Sequence, residues 1–496
     1  MAKTKAIGEK LNVKKTVLIG FGFMASSIAW AIYDPLIPLL LKDFLEDSPR
    51  VAQWGASLAA RFPDLMAVLM RSQGETVSGS VAGLNLVPLF IGLIMTFDNI
   101  FGVIFQPTFG KLSDRMHSKH GKRRPFIFLG APISAVLFLL IPQMNSLGAL
   151  MTCIILFVFV MSLWRAPVVA LMPDLTPPKL RSEGNAIINL CGGLGGLIGM
   201  MAGTVFCAIL GFNSDLKEEY PYVFGLAAVV MIVSVFVLRF FVHEPDSRLK
   251  AQGESNAAAD AAAKKALAKA EKARLKAEKL SKAERVSLIF MLFALFFLIS
   301  GTNAIQTFFS LFAAEVLDKS GSEATMMMAI FAASSMISAI PAGIVGKKLG
   351  RKKTIMLGIG TFVAVFLLYA ATKNLALIWV ALVLGGAANM FITVNTLPLV
   401  LEIGGLDRVG TYTGYYYTAT FSAQIASPII YGFIATLTAK TAENPGAMGY
   451  LSLFYYCPGL FVLALLCLQM VKHGEAKIDQ DALEETVKQV ELENAD

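Results

Sequence analysis

Residues 103–127 read VIFQPTFGKLSDRMHSKHGKRRPFI, an apolar segment that enters a strongly basic turn and leaves it as a new apolar segment. Residues 343–353, in the second half of the chain, repeat the turn as GIVGKKLGRKK. Both copies place a charged pair after a first glycine and a run of cations after a second glycine. Lys347 replaces the Asp114 of the first copy, so we expect two halves that are related but not equivalent.

The composition indicates that lipid is the solvent of this chain. Of its 496 residues, 56% are hydrophobic and only 16% are charged, whereas soluble domains carry about 25% charged residues. At about 20 residues per crossing, the length accommodates twelve transmembrane helices. Apolar segments bounded by charges or by Pro and Gly turns predict spans at 15–41, 82–109, 125–146, 149–172, 185–211, 221–242, 286–316, 324–346, 353–372, 376–402, 410–437 and 448–471.

We therefore predict an all-α polytopic membrane protein whose twelve transmembrane helices form two pseudo-symmetric six-helix bundles. The first bundle covers residues 15–243 and the second covers 286–471. Between them, residues 244–285 are rich in Ala, Lys and Glu and predict a basic cytoplasmic linker helix, either a solvated connector or a lipid-binding segment. Residues 1–14 and the acidic residues 472–496 are predicted to be cytoplasmic tails.

The distribution of cations predicts the orientation. Lys and Arg crowd the N-terminal tail, the turn at 110–124, the linker and the turn at 347–353, whereas the intervening loops mix cations with acids. The positive-inside rule then places both termini in the cytoplasm and leaves residues 43–80 as a long external loop. We expect a multi-pass monomer of the plasma membrane.

Cysteine, histidine and glycine patterns argue against several kinds of site. The five cysteines lie in apolar segments and the four histidines lie in loops or at span ends, without metal-ligand spacing. We expect no metal, no cofactor, no nucleic-acid partner and no enzymatic activity. Gly195, Gly199 and Gly203 lie in an apolar helix, so they predict close helix packing rather than a dinucleotide loop.

Three ionisable residues, Asp34, Asp98 and Arg165, fall inside predicted spans. A charge in mid-membrane costs roughly 2.5–3.5 kcal/mol on insertion scales, so such residues usually face a partner or a water-filled pathway. Two acids and one arginine leave one negative charge, which a bound proton or a metal cation would neutralise. We expect a proton rather than sodium, with Asp98 and then Asp34 as the proton-coupling residues. A static ion pair is the alternative. Pro35 and Pro38 also favour a break in the first span.

Polar and aromatic side chains in otherwise apolar spans suit a neutral polar solute such as a sugar, which offers apolar ring faces and many hydroxyls. The expected substrate-binding residues are Tyr33, Trp164, Arg165, Asn303, Gln306, Asn395 and Tyr416. Charged residues at the basic turn and at the inner end of span 4 are expected to gate the cytoplasmic side. These gating residues are Asp114, Arg115, Arg123, Arg124 and Asp174.

The turn at residues 103–127 resembles that of the sucrose:proton symporters, a group within the major facilitator superfamily whose pattern is Gln-Pro-x2-Gly-x2-Ser-Asp-Arg followed by Gly-[Arg/Lys]-Arg-Arg-Pro-Phe-Ile. Residues 164–187, WRAPVVALMPDLTPPKLRSEGNAI, resemble the fourth-span motif of this group, in which an arginine contacts sugar. The resemblance places that role on Arg165. Weaker likeness continues at residues 307–312, 395–400 and 410–428.

Two departures from the family pattern bear on coupling. The plant symporters carry an aspartate eleven residues before the arginine, where this chain has Ile154. The related glycoside-pentoside-hexuronide:cation symporters bind sodium through carboxylates at positions that here resemble Gln106 and Arg165, so a sodium site of that kind is not expected.

The sequence and the resemblance together predict a secondary active transporter for proton-coupled uptake of a di- or oligosaccharide, such as the α-glucosides sucrose and maltose, by alternating access. Two alternatives remain open at this point. One is a sugar or drug exporter of the same superfamily, and the other is a nutrient sensor that binds its solute without transporting it.

Overall fold

The computed structural model describes residues 11–62, 85–116, 118–119, 121–177, 180–244, 281–404, 409–439 and 448–472. These residues contain twelve helices that are long and apolar enough to cross a bilayer, which confirms the predicted number of spans. In chain order, spans 1 to 12 are Val13–Glu46, Val87–Asp114, Arg124–Gln143, Leu147–Leu175, Glu183–Leu210, Tyr220–Phe241, Lys282–Val316, Gly321–Leu349, Arg351–Thr372, Leu375–Ile403, Thr411–Leu437 and Gly449–Gln469.

The spans pack as two bundles of six. In the first half, span 1 packs on span 5 and span 3 packs on spans 4 and 6; in the second half, span 10 packs on spans 8 and 9, and span 7 packs on spans 11 and 12. Between the halves, span 2 meets span 11 and span 5 meets span 8. These two interfaces correspond under exchange of the halves, as expected for a pseudo-symmetric molecule.

Span 5 approaches span 1 through small residues. A Cβ on Gly195 would lie 2.6 Å from the carbonyl oxygen of Met24, and one on Gly199 would lie 2.9 Å from that of Ile28. Only glycine leaves room for backbones at this separation. The prediction that these glycines serve helix packing is therefore confirmed.

The predicted break in span 1 was wrong. The helix continues from Val13 to Glu46 through Pro35 and Pro38. Ile37, which lies between the two prolines, is fully buried, so packing against neighbouring helices holds this segment in place. Span 2 is interrupted instead. Its two helices, Val87–Met95 and Phe97–Asp114, meet at Thr96, whose hydroxyl donates to the Gly92 carbonyl at 2.8 Å. The interruption places Asp98 in the first turn of the second helix.

Two other boundaries differ from the prediction. The segment predicted as an external loop over 43–80 contains a helix, Pro49–Arg61, and its residues 63–84 lie outside the described part of the chain. Span 7 begins at Lys282, four residues early, because Ser281 and Glu284 form a capping box. Most of the predicted linker helix and of both tails lies outside the described residues.

The halves meet near one end of the molecule. We call the end that carries the turns at 115–123 and 349–351 the basic face, and the opposite end the distal face. Span 11 packs closely on the distal helix of span 2 and only sparsely on the other helix. Near the distal face the Leu89 N–H donates to Thr436 Oγ1 at 3.1 Å, and Thr204 Oγ1 donates to the Ser322 carbonyl at 2.9 Å. These contacts close the distal face.

Candidate functional site

A cavity of about 680 Å³ lies between the two halves. Spans 1 and 5 of the first half and spans 7, 8 and 10 of the second half line it. Its polar wall includes Asp34, Gln306 and Asn389, and several methionines and Phe331 form much of its apolar wall. Because the wall comes from both halves, movement of one half against the other changes access to the cavity.

Asp34, Asp98 and Arg165 come from spans 1, 2 and 4 and interact electrostatically with one another. Each acid attracts Arg165, and the two acids repel each other. The ion pairs found among the described residues do not include Arg165. Its guanidinium lies 5.4 Å from the centre of the Trp30 ring. The group would therefore carry one excess negative charge when both acids are ionised.

An aromatic cluster supports this charged group. Tyr33 is fully buried, meets the Trp30 ring edge-to-face at 5.2 Å and stacks on Phe157 at 5.8 Å. Trp30 Nε1 and the Tyr33 hydroxyl are both buried without a hydrogen-bond partner among the described residues. An unsatisfied buried donor costs about 1–3 kcal/mol, so a solute hydroxyl or a water reaching these groups would be stabilised.

Trp30 could have been assigned to the site from its spacing. It precedes Asp34 by four residues, which places both side chains on one face of a helix. The predicted residue Tyr33 also belongs to this cluster, and the predicted residue Gln306 lines the cavity from span 7.

Other predicted substrate-binding residues lie between helices of one half. Trp164 is 0% exposed, and its Nε1 donates to Ser134 Oγ of span 3 at 3.0 Å. Asn395 is also 0% exposed, and its Nδ2 donates to the Phe391 carbonyl at 2.9 Å and to the Ala342 carbonyl of span 8 at 3.3 Å. Both side chains thus complete packing contacts rather than face the cavity.

Two further residues predicted to bind substrate are Tyr416 and Asn303. The Tyr416 hydroxyl lies 3.5 Å from Thr396 Oγ1, at the contact of spans 10 and 11. Asn303 lies on span 7, three residues before Gln306, and its Oδ1 is buried without a partner among the described residues. The lining of the described cavity does not include either residue.

The predicted gating residues cluster on the basic face of the first half. Arg123, whose side chain is 6% exposed, pairs with Asp174 (Nε–Oδ2, 2.8 Å) and with Asp114. Lys122 lies 3.3 Å from Asp174 and 3.7 Å from Asp114. All of these partners belong to the first half, so this cluster braces one half and does not join the two.

The other two predicted gating residues, Arg115 and Arg124, are not part of the ion pairs of this cluster. Arg115 is exposed at the end of span 2. Arg124 is buried, lies 5.0 Å from the centre of the Phe128 ring and donates to the Arg239 carbonyl at 2.6 Å. The hydrogen bond to the Arg239 carbonyl therefore joins span 3 to span 6.

The role of Glu244, just after span 6, is not visible in the sequence pattern. Its carboxylate accepts the backbone N–H groups of residues 122, 123 and 124 at distances between 2.9 and 3.2 Å. Gly121 turns the chain in the left-handed region, with φ of +88°. Three successive amides directed at one carboxylate form an anion-binding concavity, which holds the basic turn against span 6.

The same brace recurs in the second half. Arg351 at the start of span 9 pairs with Glu402 near the end of span 10, as Arg123 before span 3 pairs with Asp174 near the end of span 4. Both pairs are 51 residues apart in sequence and both use the arginine Nε. The repeat predicted from the two basic turns therefore extends to their ion pairs.

A family model and several known proteins match this chain. A family model described as the Major Facilitator Superfamily matches residues 19–428 and 291–488. Tetracycline resistance protein, class E, of Escherichia coli is 25% identical over 394 residues, which cover 77% of this chain and 86% of that protein. Sucrose transport protein SUC3 of Arabidopsis thaliana is 28% identical over 192 residues, which cover 31% of each chain.

The solved structure of the nucleoside transporter NupG is similar in fold. It superposes with a TM-score of 0.62 at 15% identity and covers 92% of this chain and 100% of its own.

Proposed function

This chain belongs to the Major Facilitator Superfamily, and from that premise we propose that it is a secondary active transporter that takes up a di- or oligosaccharide together with a proton. Its relatives and structural neighbours are transporters and not enzymes, which confirms the prediction of a transporter rather than an enzyme. Membership of this family makes the chain a multi-pass membrane transporter of a small molecule. The sugar, the proton and the direction of transport are what we propose in addition.

The group formed by Asp34, Asp98 and Arg165 carries the proposal of proton coupling. With both acids ionised, the two carboxylates and one guanidinium carry an excess of one negative charge, and Asp34 lines the cavity between the two halves. A proton on one acid removes the excess, and the other acid then balances Arg165. Because the protonated group is neutral, it crosses between the two access states at a lower electrostatic cost than the charged group does.

The surroundings of Arg165 support a sugar as the solute. A guanidinium offers several donors to hydroxyls, and the neighbouring Trp30 offers an aromatic face to a sugar ring. Gln306 and Asn389 add amide donors and acceptors from the second half. The partial match to a plant sucrose transport protein agrees with this substrate class.

The proposed orientation places the basic face in the cytoplasm of a plasma-membrane monomer, as the positive-inside rule indicates. The distal face is then external, and its interhalf contacts close the external access. In this orientation the described conformation presents the cavity to the cytoplasm.

The decisive experiment is uptake of radiolabelled sucrose, maltose and melibiose into proteoliposomes, with and without an inward proton gradient. The wild type should accumulate at least one sugar under the gradient, and an uncoupler should abolish the accumulation. Asp98→Asn should retain downhill exchange and lose gradient-driven accumulation, because a neutral amide cannot take up and release the proton. Asp47→Asn, an exposed acid near the distal face, is the matched control and should behave as the wild type. Absence of uptake for all three sugars would contradict the substrate class.

Export of a drug is the second candidate function. It is favoured by the match to a tetracycline resistance protein, which covers most of both chains. Cells that express an exporter should accumulate less tetracycline than cells that carry Asp98→Asn. If sugar uptake is absent and this difference is present, export replaces the leading proposal.

A further inference from the structure

A buried carboxylate joins the two halves at the distal face. Glu219 immediately precedes span 6, is 0% exposed, and accepts a hydrogen bond through Oε1 from Ser322 Oγ at the start of span 8. Its other oxygen, Oε2, is buried without a partner among the described residues. A carboxylate that uses one oxygen and buries the other without a donor is only partly compensated for its loss of water.

The surroundings of this contact are tightly closed. Ser322 is 3% exposed, and its carbonyl accepts a hydrogen bond from Thr204 Oγ1 of span 5 at 2.9 Å. A Cβ on Gly321 would lie 3.0 Å from Leu39 Cδ1 of span 1 and would overlap the Tyr220 hydroxyl. Opening of the distal face must therefore separate span 8 from spans 1, 5 and 6 and admit water to Glu219.

Few charges near Glu219 compensate its own. Lys217 and Glu218 precede it in the same turn. Lys217 lowers the pKa of the Glu219 carboxyl and Glu218 raises it. Lys217 already pairs with Asp43 of span 1. On span 5 the neighbouring titratable group is Cys207, which is uncharged as a thiol.

Among the described residues, the neighbouring parts of spans 6 and 8 contribute no free cation. On span 8 the nearest charged residue, Glu323, accepts a hydrogen bond from Lys319 at 2.8 Å. Span 6 contributes the Tyr220 hydroxyl, which is buried without a partner among the described residues. Burial raises the pKa of the Glu219 carboxyl above its usual range, and the Ser322 hydrogen bond offsets only part of that rise.

We propose that Glu219 is a proton-sensitive latch of the distal face: its protonated carboxyl stabilises the contact between spans 6 and 8, and its ionised carboxylate favours their separation. Protonation also removes the charge from the buried Oε2, which the ionised form leaves without a donor among the described residues. The closed state binds this proton more tightly than the open state, in which water solvates the carboxylate. The closed fraction therefore falls as the pH rises from the open-state pKa through the raised closed-state pKa.

With the distal face outside, as proposed above, external acid closes the external gate. The latch is separate from the group formed by Asp34, Asp98 and Arg165, and its operation does not depend on which solute is carried. Its test therefore needs no substrate and can fail independently of the proposed function.

The test is hydrogen–deuterium exchange of the purified protein in lipid nanodiscs between pH 5 and pH 8, read on peptides that contain residues 213–222 and 318–326. Rates are corrected with a reference peptide for the intrinsic effect of pH. In the wild type the corrected exchange of both peptides should increase with pH, by at most about tenfold per pH unit, the limit for one proton. Glu219→Gln keeps the shape and removes the charge, so its exchange should stay slow across the range.

Two further variants keep the test decisive. Ser322→Ala removes one hydroxyl and the hydrogen bond to Glu219, so its exchange should be faster than that of the wild type at every pH. Asp47→Asn alters an exposed acid outside both peptides and should retain the wild-type pH dependence. Equal pH dependence in the wild type and Glu219→Gln would overturn the proposal, as would a Ser322→Ala protein that exchanges no faster than the wild type.

Discussion

At the scale of single residues, two tryptophans of the first bundle have different roles, one in helix packing and one beside the charged group. Trp164 immediately precedes Arg165 in sequence, yet its indole turns away and donates to Ser134 of span 3 at 3.0 Å. Trp30 lies far from Arg165 in sequence, yet its ring lies 5.4 Å from the guanidinium carbon. Adjacent residues on a helix point about 100° apart, so proximity in sequence is a poor guide to a shared site.

The two tryptophans should separate stability from solute binding. Trp164→Phe keeps most of the packing but leaves Ser134 without its donor, so we expect a loss of about 1 kcal/mol of stability and an unchanged KM. Trp30→Phe weakens the contact of the ring with Arg165, so we expect KM to rise about two- to tenfold with little change in stability. Thermal unfolding and concentration-dependent uptake measure the two effects. A raised KM in Trp164→Phe would contradict the packing role of that residue.

At the scale of helices, the ion pairs near the basic face brace each half. The two braces differ in burial: the Arg123 side chain is 6% exposed and that of Arg351 is 28% exposed. Arg123 also forms an ion pair with a second acid, Asp114. Among the described residues, the ion-pair partner of Arg351 is Glu402. Removal of one partner from a buried pair costs more than removal from a partly solvated pair, because the remaining charge stays desolvated.

Neutralising the acid of each brace should therefore have unequal effects. We expect Asp174→Asn to destabilise the protein by about 2 kcal/mol, because Asp114 and the surrounding oxygens compensate Arg123 only in part. Glu402→Gln should cost about 1 kcal/mol or less. The control Glu183→Gln changes an exposed acid in the first turn of span 5 and should be neutral. Unfolding in urea would reveal the order, and a larger effect of Glu402→Gln would contradict it.

At the scale of the whole molecule, the two halves are joined near the distal face and the cavity extends toward the basic face. Hydrogen bonds from Leu89 to Thr436 and from Thr204 to Ser322 join the halves near the distal face. The cavity lining continues to Ala186 of span 5, near the start of that helix at the basic face. Access from one side at a time is the condition for alternating access.

Labelling of single cysteines should show this asymmetry. In a background with the five native cysteines replaced by alanine, Ala186→Cys should react with a membrane-impermeant maleimide in inside-out vesicles and much less in right-side-out vesicles. Ala56→Cys, exposed on the helix Pro49–Arg61 near the distal face, should show the opposite preference. Equal labelling of Ala186→Cys from both sides would contradict the described closure, and reversed preferences of both cysteines would contradict the proposed orientation.

Properties that depend on local composition could be derived from the sequence alone. The twelve spans, the two basic turns and the packing role of Gly195 and Gly199 were predicted, because each is expressed within a few turns of one helix. The charged residues Asp34, Asp98 and Arg165 could be identified for the same reason, since a charge within an apolar segment is evident without the fold. The family likewise follows from motifs contained in single segments.

The tertiary structure alone decided which side chains meet. It turned Trp164 and Asn395 into packing contacts, kept span 1 continuous through two prolines and interrupted span 2 at Thr96. It also brought Glu219 to Ser322, 103 residues away, and Arg351 to Glu402. These pairings depend on the rotation of each helix about its axis and on the contact between the halves, and both are set by packing across the whole molecule rather than by any one segment.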